Sequence, residues 1–329
     1  MSFSITRRGA LAAVAGVATG ALHAHARAAA FPDGRPLRLI VPYTPGGGTD
    51  AVARFIAEKI HAETGWTVIV ENRPGAGGNI GLDAVAKARP DGLTLALGQT
   101  ANLAINPALL PKMPFDPAKD FAPVVLVASL PVVMVVRADS AWKTLADGVK
   151  AMQAQPGAVK QALAASGTVG HLAGELLAYR AKFQVLNVPY KGAAPALTDL
   201  LGGSTDYMFA TPQAVQEMIK GRRLRALAVT SQARLPILPD VPTVAESGYR
   251  GFEAVDWKAI VAPAGTPAAV VRAINAAAEK ALSKPATIAL LASEGSVPLG
   301  GTPERAQQYI RDEQQKWARL IQDARITLE

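Results

Sequence analysis

Two glycine-rich stretches carry the chemistry open to this sequence. The first is Thr44-Pro45-Gly46-Gly47-Gly48-Thr49-Asp50, set between an apolar run ending at Tyr43 and apolar residues Val52, Ile56 and Ile60 at helical spacing. Three glycines at a helix start leave backbone N–H groups unshielded, and the helix dipole adds partial positive charge there. That combination cradles anions, and is worth roughly 0.3–1 kcal/mol to an exposed carboxylate. The second stretch is Ser166-Gly167-Thr168-Val169-Gly170-His171, again at a predicted strand-to-helix junction, with two hydroxyls beside its N–H groups. A tight turn with no ligand explains the first loop equally well. Asp50 is expected to cap its helix with the carboxylate turned from any ligand.

Other chemistries lack their residues. No Gly-Lys-Ser/Thr follows the first loop, so it is no phosphate-binding Walker loop, and the Gly-x-Gly-x-x-Gly spacing is missing. No Gly-x-Ser-x-Gly elbow occurs. There are no cysteines, so no thiol nucleophile, disulfide or thiolate metal site. No His/Asp/Glu set has metal spacing; Asp116 and Asp120 read as turn and cap residues. Neither cofactor nor metal is expected. His171 falls in a first helical turn, where a hydrogen-bonding role to the loop accounts for it. As a general base it would need a nucleophile and an orienting group. The basic cluster Arg222, Arg223 and Arg225 is short and has no interleaved aromatics, so no nucleic-acid partner is expected.

The elements that must position these loops alternate. Short apolar strands are predicted at 38–43, 67–70 and 93–97, with helices over 52–64 and 81–88 between them. This rhythm implies a parallel sheet with right-handed crossovers. The long apolar stretch Val124 to Val136, broken by Pro131, can carry the chain to a second lobe. There the rhythm resumes. Helices are expected at 145–154, 171–181, 195–201 and 212–220, and strands at 160–165, 185–188, 207–210 and 224–229. Residues 257–261 form a second crossover strand, and helices over 267–282, 286–293 and 303–324 finish the chain. The fold class is therefore α/β: two doubly wound sheets joined by two crossover strands, with a cleft at the strands' carboxyl ends. Lobe one spans 36–130 and 255–329, and lobe two spans 131–254.

The 329 residues suffice for two such domains. Residues 1–30 read as a signal peptide: Thr6-Arg7-Arg8 is a basic start, Gly9 to Leu22 an uncharged small and apolar stretch, and Ala24-x-Ala26 and Ala26-x-Ala28 are cleavage sites. Removing them lowers the formal charge from +8 to +5, because Arg7, Arg8 and Arg27 leave and no acid does. The paired arginines leave both the Sec and twin-arginine routes open. No later segment is long and apolar enough to span a bilayer, so the mature chain is expected to be a soluble, periplasmic monomer.

Seven phrases met along the chain now belong together. They are Val41-Pro42-Tyr43-Thr44-Pro45-Gly46-Gly47-Gly48-Thr49-Asp50, Glu71-Asn72-Arg73-Pro74-Gly75-Ala76-Gly77-Gly78-Asn79-Ile80-Gly81, Pro90-Asp91-Gly92-Leu93-Thr94, His171-Leu172-Ala173-Gly174-Glu175, Val188-Pro189-Tyr190-Lys191-Gly192, Pro239-Asp240-Val241-Pro242-Thr243-Val244-Ala245-Glu246 and Ala262-Pro263-Ala264-Gly265-Thr266-Pro267. In this order, across the whole mature chain, they closely resemble the Bug receptors, the substrate-binding proteins of tripartite tricarboxylate transporters. The resemblance implies a type II-like periplasmic binding fold whose lobes close like a flytrap. It also implies a carboxylate held by the two strand–helix loops through N–H groups, hydroxyls and water, for delivery to a membrane permease.

Carried over motif by motif, the resemblance assigns ligand contacts to Tyr43, Thr44, Pro45, Gly46 and Gly47, then to Gln99 and Thr100. In lobe two it assigns Thr168, Gly170, His171, Tyr190, Lys191 and Asp206, and the loop reading above adds Ser166. Turn-building accounts for Asn72 and Asn79 as well as ligand contact does. The lobe-two loop departs from the family's Ser-x-Gly-x-Gly-Ser/Thr-x-x-His: Leu163 stands at the Ser position and Ala165 at the first Gly. A more apolar pocket follows, favouring an aromatic or apolar-tailed carboxylate over a citrate-like one. A second reading is a sensor that docks on a membrane histidine kinase. A third, a secreted hydrolase using Asp206, His171 or Ser166, lacks an assembled acid–base set.

Overall fold

The computed structural model describes residues 31–327 apart from Gly46, Gly47, Lys191 and Glu294, so the expected signal peptide, 1–30, lies outside the described residues. Strand β1 (Leu37–Val41) shows why a central strand forms here. Leu37, Leu39 and Val41 join one apolar core, and Ile40 joins the other on the opposite face. With period two, only a strand covered on both faces can bury such a run.

β1 lies between β2 (Val68–Asn72) and β3 (Thr94–Gln99), parallel to both. Helix α1 (Gly48–Thr64) packs on one face through Val52, Ile56 and Ile60, beside Ile274 and Ala278 of α8 (Ala268–Leu282). Leu82 and Val85 of α2 (Asn79–Ala86), with Ile310 and Trp317 of α10 (Pro303–Asp323), cover the other. Beyond β3 come a π-helical turn, Ala101–Ile105, and the short α3 (Asn106–Leu109). Periodicity missed this segment because Asn102, Asn106 and Pro107 interrupt its apolar pattern.

The sheet continues through β10 (Val255–Pro263), β4 (Phe121–Pro131) and the edge strand β11 (Val297–Pro298), giving the order β11-β4-β10-β3-β1-β2. Here the parallel expectation is corrected. β10 runs antiparallel to both β3 and β4, because it brings the chain back from the second sheet against the direction in which β4 left.

Val132 alone separates β4 from β5 (Val133–Arg137), which belongs to the second sheet, order β7-β6-β8-β5-β9. Strand β6 (Lys160–Leu163) is parallel to β7 (Leu186–Pro189) and β8 (Tyr207–Ala210), while β5 runs antiparallel to β8 and to β9 (Leu224–Val229). Val133 and Val135 face one core with α6 (Ala193–Gly202) and α7 (Pro212–Lys220). Met134 and Val136 face the other with α4 (Leu145–Ala154) and α5 (Val169–Ala181). This is the two-lobed α/β architecture that the sequence patterning and the resemblance led us to expect.

The two crossings are stitched by buried threonines. Thr230 Oγ1 lies 2.9 Å from Val132 N and 2.6 Å from Ala254 O, so one hydroxyl ties the outgoing strand to the return strand. Behind them one apolar core runs unbroken from Trp257 and Trp317 of the first sheet's layer to Met134 and Leu172 of the second's.

Candidate functional site

A cavity of about 550 Å³ opens between the two sheets at the carboxyl ends of their strands. Tyr43, Gln99, Ala101 and Asn106 contribute from the first sheet's layer, and the loop 164–170, Phe209 and Thr211 from the second's. Val132 and Asp256, from the two crossings, complete the wall.

On the first side, the loop after β1 is held from behind. The Asn72 side-chain amide donates to the Tyr43 carbonyl at 3.0 Å and to Asp50 Oδ1 at 3.0 Å. Arg54 grips Asp50 Oδ2 at 3.0 Å. Asp50 therefore sits within the first turn of α1, buried and off the cavity wall. The Tyr43 hydroxyl accepts from Asn102 Nδ2 at 3.1 Å and keeps its own proton to donate. Burial and the nearby Asp256 charge push the phenol well above its ordinary range. Gln99 Nε2 donates to Thr49 Oγ1, so α1 is pinned to the end of β3.

On the second side, Gly167 adopts φ +74°, a left-handed turn that glycine takes without strain. Thr168 then caps α5, its hydroxyl accepting from His171 N at 3.4 Å and donating to the Ala165 carbonyl at 2.9 Å. Val169 and Gly170 put the orphan N–H groups of the first turn at the cavity wall. Gly170 is there because α5 starts against β8: a Cβ would stand 2.5 Å from the Phe209 carbonyl oxygen.

His171 works beneath the loop. Its Nδ1 accepts from Gly167 N at 3.1 Å, so a neutral ring carries its proton on Nε2, which faces Glu175 Oε1 at 3.7 Å. Burial pushes the Glu175 carboxyl up, but His171 and Asn187 outweigh it and hold the group below the usual carboxylate range. The arrangement fixes a loop; among the described residues no nucleophile is hydrogen-bonded to His171.

The family described as tripartite tricarboxylate transporter family receptor matches residues 52–326. The chain belongs to that family. A Pseudomonas sp. protein encoded in the tcbD-tcbE intergenic region is 41% identical over 98% of this chain and 96% of its own length. Protein BugT of Bordetella pertussis is 38% identical over 95% and 96%. Among solved structures, the periplasmic binding protein BugD superposes with a TM-score of 0.75 at 35% identity, covering 90% of this chain and 99% of that one. An R. palustris protein solved with adipate gives 0.78 at 33%, with the same coverage. These relatives are receptors and not enzymes, and so is this chain.

Within this receptor the cavity gathers Tyr43, Gln99, Ser166, Thr168 and Gly170. Thr44 and Pro45 are exposed outside its wall, and Gly46, Gly47 and Lys191 lie outside the described residues. His171 is buried and off the wall. The other placements differ from expectation for geometric reasons. Thr100 is fully buried and spends its hydroxyl on β10, accepting from Trp257 N at 2.8 Å. Tyr190 donates to Asp199 Oδ2 at 2.6 Å, away from the cavity. Asp206 precedes β8 and accepts from Lys160 N at 2.7 Å, at the strands' amino ends. It is a strand length, roughly 16 Å at ~3.3 Å per residue, from Thr211 on the wall.

Asn106, Phe209 and Asp256 line the cavity and were not singled out by sequence reasoning. Asn106 is oriented by Asn79, whose Oδ1 accepts from it at 3.2 Å, which gives Asn79 the supporting role. For Asp256 a signal was present: Val255-Asp256-Trp257-Lys258 alternates apolar and charged residues at the mouth of a crossover strand.

Proposed function

We propose that this receptor closes its two lobes, residues 36–130 with 255–329 and residues 131–254, on one small organic carboxylate and presents it to the membrane permease of a tripartite transporter. The observation that carries the reading is the start of α5. A capped 13-residue helix brings its first-turn N–H groups to a cavity whose opposite wall carries Tyr43, Gln99 and Asn106 of the other lobe. A carboxylate there meets main-chain donors and the helix dipole together. Adipate in the R. palustris relative supports the ligand class. The alanines 164 and 165, Val169 and Phe209 on the wall favour an acid with an apolar or aromatic body.

The receptor acts as a monomer, exported to the periplasm behind its N-terminal signal segment. No described helix is long and apolar enough to cross a membrane, which supports a mature chain that does not insert. The test is a thermal-shift screen of organic acids on the mature protein. A ligand at about 100 times its Kd stabilises by roughly 2.7 kcal/mol, a visible rise in Tm. A library of mono-, di- and tricarboxylates that leaves Tm unchanged, with no acid co-purifying in native mass spectrometry, refutes the reading.

A further inference from the structure

Asp256 is the one charged side chain among the described residues that line the cavity. An acid is the wrong charge for a carboxylate site unless it serves some other part of the ligand. Its surroundings say which part. Asp256 and Lys258 stand two apart on β10, and Lys258 Nζ lies 3.2 Å from Asp256 Oδ2. The lysine side chain is 6% exposed, against 22% for the aspartate, and only the aspartate reaches the cavity wall. The ammonium is thus committed to one oxygen from behind. Asp256 Oδ1 has no donor among the described residues, and Asp256 is on the cavity wall.

We infer that Asp256 selects among carboxylates by their far end: acids carrying a hydroxyl or ammonium donor are retained, and acids carrying a second carboxylate are turned away. This rests on the carboxylate reading above and gives it a substrate class. A ligand donor completes the empty valence of a half-buried carboxylate. A second ligand carboxylate would instead face a like charge, with the Lys258 ammonium already held by Asp256 Oδ2 and off the cavity wall. Like-charge juxtaposition of this kind is the strongest discriminator a small site has.

Matched acids that differ only at the far end test this by calorimetry on the mature protein. One series is hexanoate, 6-hydroxyhexanoate, 6-aminohexanoate and adipate. The other is benzoate, 4-hydroxybenzoate, 4-(aminomethyl)benzoate and terephthalate. In whichever series binds, the wild type should prefer the hydroxy or amino acid over the diacid by about tenfold or more. Asp256→Asn should shrink that preference by about tenfold while leaving the plain acid within about threefold. Because removing the aspartate's charge leaves a buried ammonium unpaired, Asp256→Asn/Lys258→Met provides a second, charge-free version.

A wild type that binds the diacid as tightly as its hydroxy and amino counterparts overturns the inference, whatever the variants do. So does a preference that survives both substitutions. In either case the receptor still binds carboxylates, and the proposed function stands. If no acid of either series binds, the inference fails, and the wider library decides separately whether the carboxylate reading falls with it.

Discussion

His171 and Glu175 illustrate how a residue can look catalytic and serve the backbone. The imidazole accepts the Gly167 N–H, and Glu175 in turn faces the ring and accepts from Asn187 at 2.5 Å. The pair sets the shape of the loop that lines the cavity. Its linkage to pH has a definite sign. Glu175 titrates lower in the fold than its ordinary 4.5, so folding favours the ionised form. The stability it contributes is complete above the unfolded value and is lost as pH falls through the lower, folded one. Glu175→Gln should therefore lower Tm near neutrality and flatten its decline in acid. Parallel Tm-versus-pH curves for the two proteins would remove Glu175 from the account.

At the scale of elements, α5 is held close by small residues at defined points. Gly170 meets the Phe209 carbonyl, and the Gln161 side-chain amide donates to the Gly170 carbonyl at 3.0 Å. A methyl at Gly170 must push the helix start off β8. Gly170→Ala should destabilise the protein by about 1–3 kcal/mol in urea unfolding and weaken carboxylate binding as well. A full-affinity variant would show that the α5 start is not part of the site.

The strands and helices around this junction were legible in the sequence. Residues 207–210, 212–220 and 224–229 fall where alternation, Pro212 and Gly221 place them, because local pattern and tertiary burial agree there. Strand direction was not legible. Apolar runs such as Phe121 to Pro131 read the same in either orientation, so the antiparallel β10 emerged only from the pairing. Asp206 was assigned through the resemblance, at the start of β8, and that is the end of the strand away from the cavity wall. Thr100 was misread because one side of β3's end faces the cavity and the other faces β10. Gln99 and Thr100 are neighbours in sequence with opposite roles.

The molecule as a whole turns on two crossings, the single residue Val132 on the way out and residues 230–254 on the way back. Thr230 joins them through one fully buried hydroxyl, and Thr100 repeats the device between β3's end and β10. Adjacent crossings tied together in this way permit rotation of one lobe against the other while resisting separation. Thr230→Val keeps the volume but leaves the Val132 N–H and the Ala254 carbonyl short of a partner. The expected cost is about 1–3 kcal/mol, together with faster amide hydrogen exchange at Val132, whose N–H loses its acceptor. Unchanged exchange there would mean the hydroxyl is not what holds the crossings together.

Behind those crossings Glu313 is buried and accepts from two indoles at once, Trp257 and Trp317, each at 3.0 Å on the same oxygen. Trp257 lies on the return crossing and Trp317 on the terminal helix. Any rotation that reaches the crossing changes the electrostatic field on an ultraviolet chromophore. The receptor thus carries its own optical gauge of opening and closing. Trp66 and Trp142, which do not share that carboxylate, supply a steadier background against which its signal can be read.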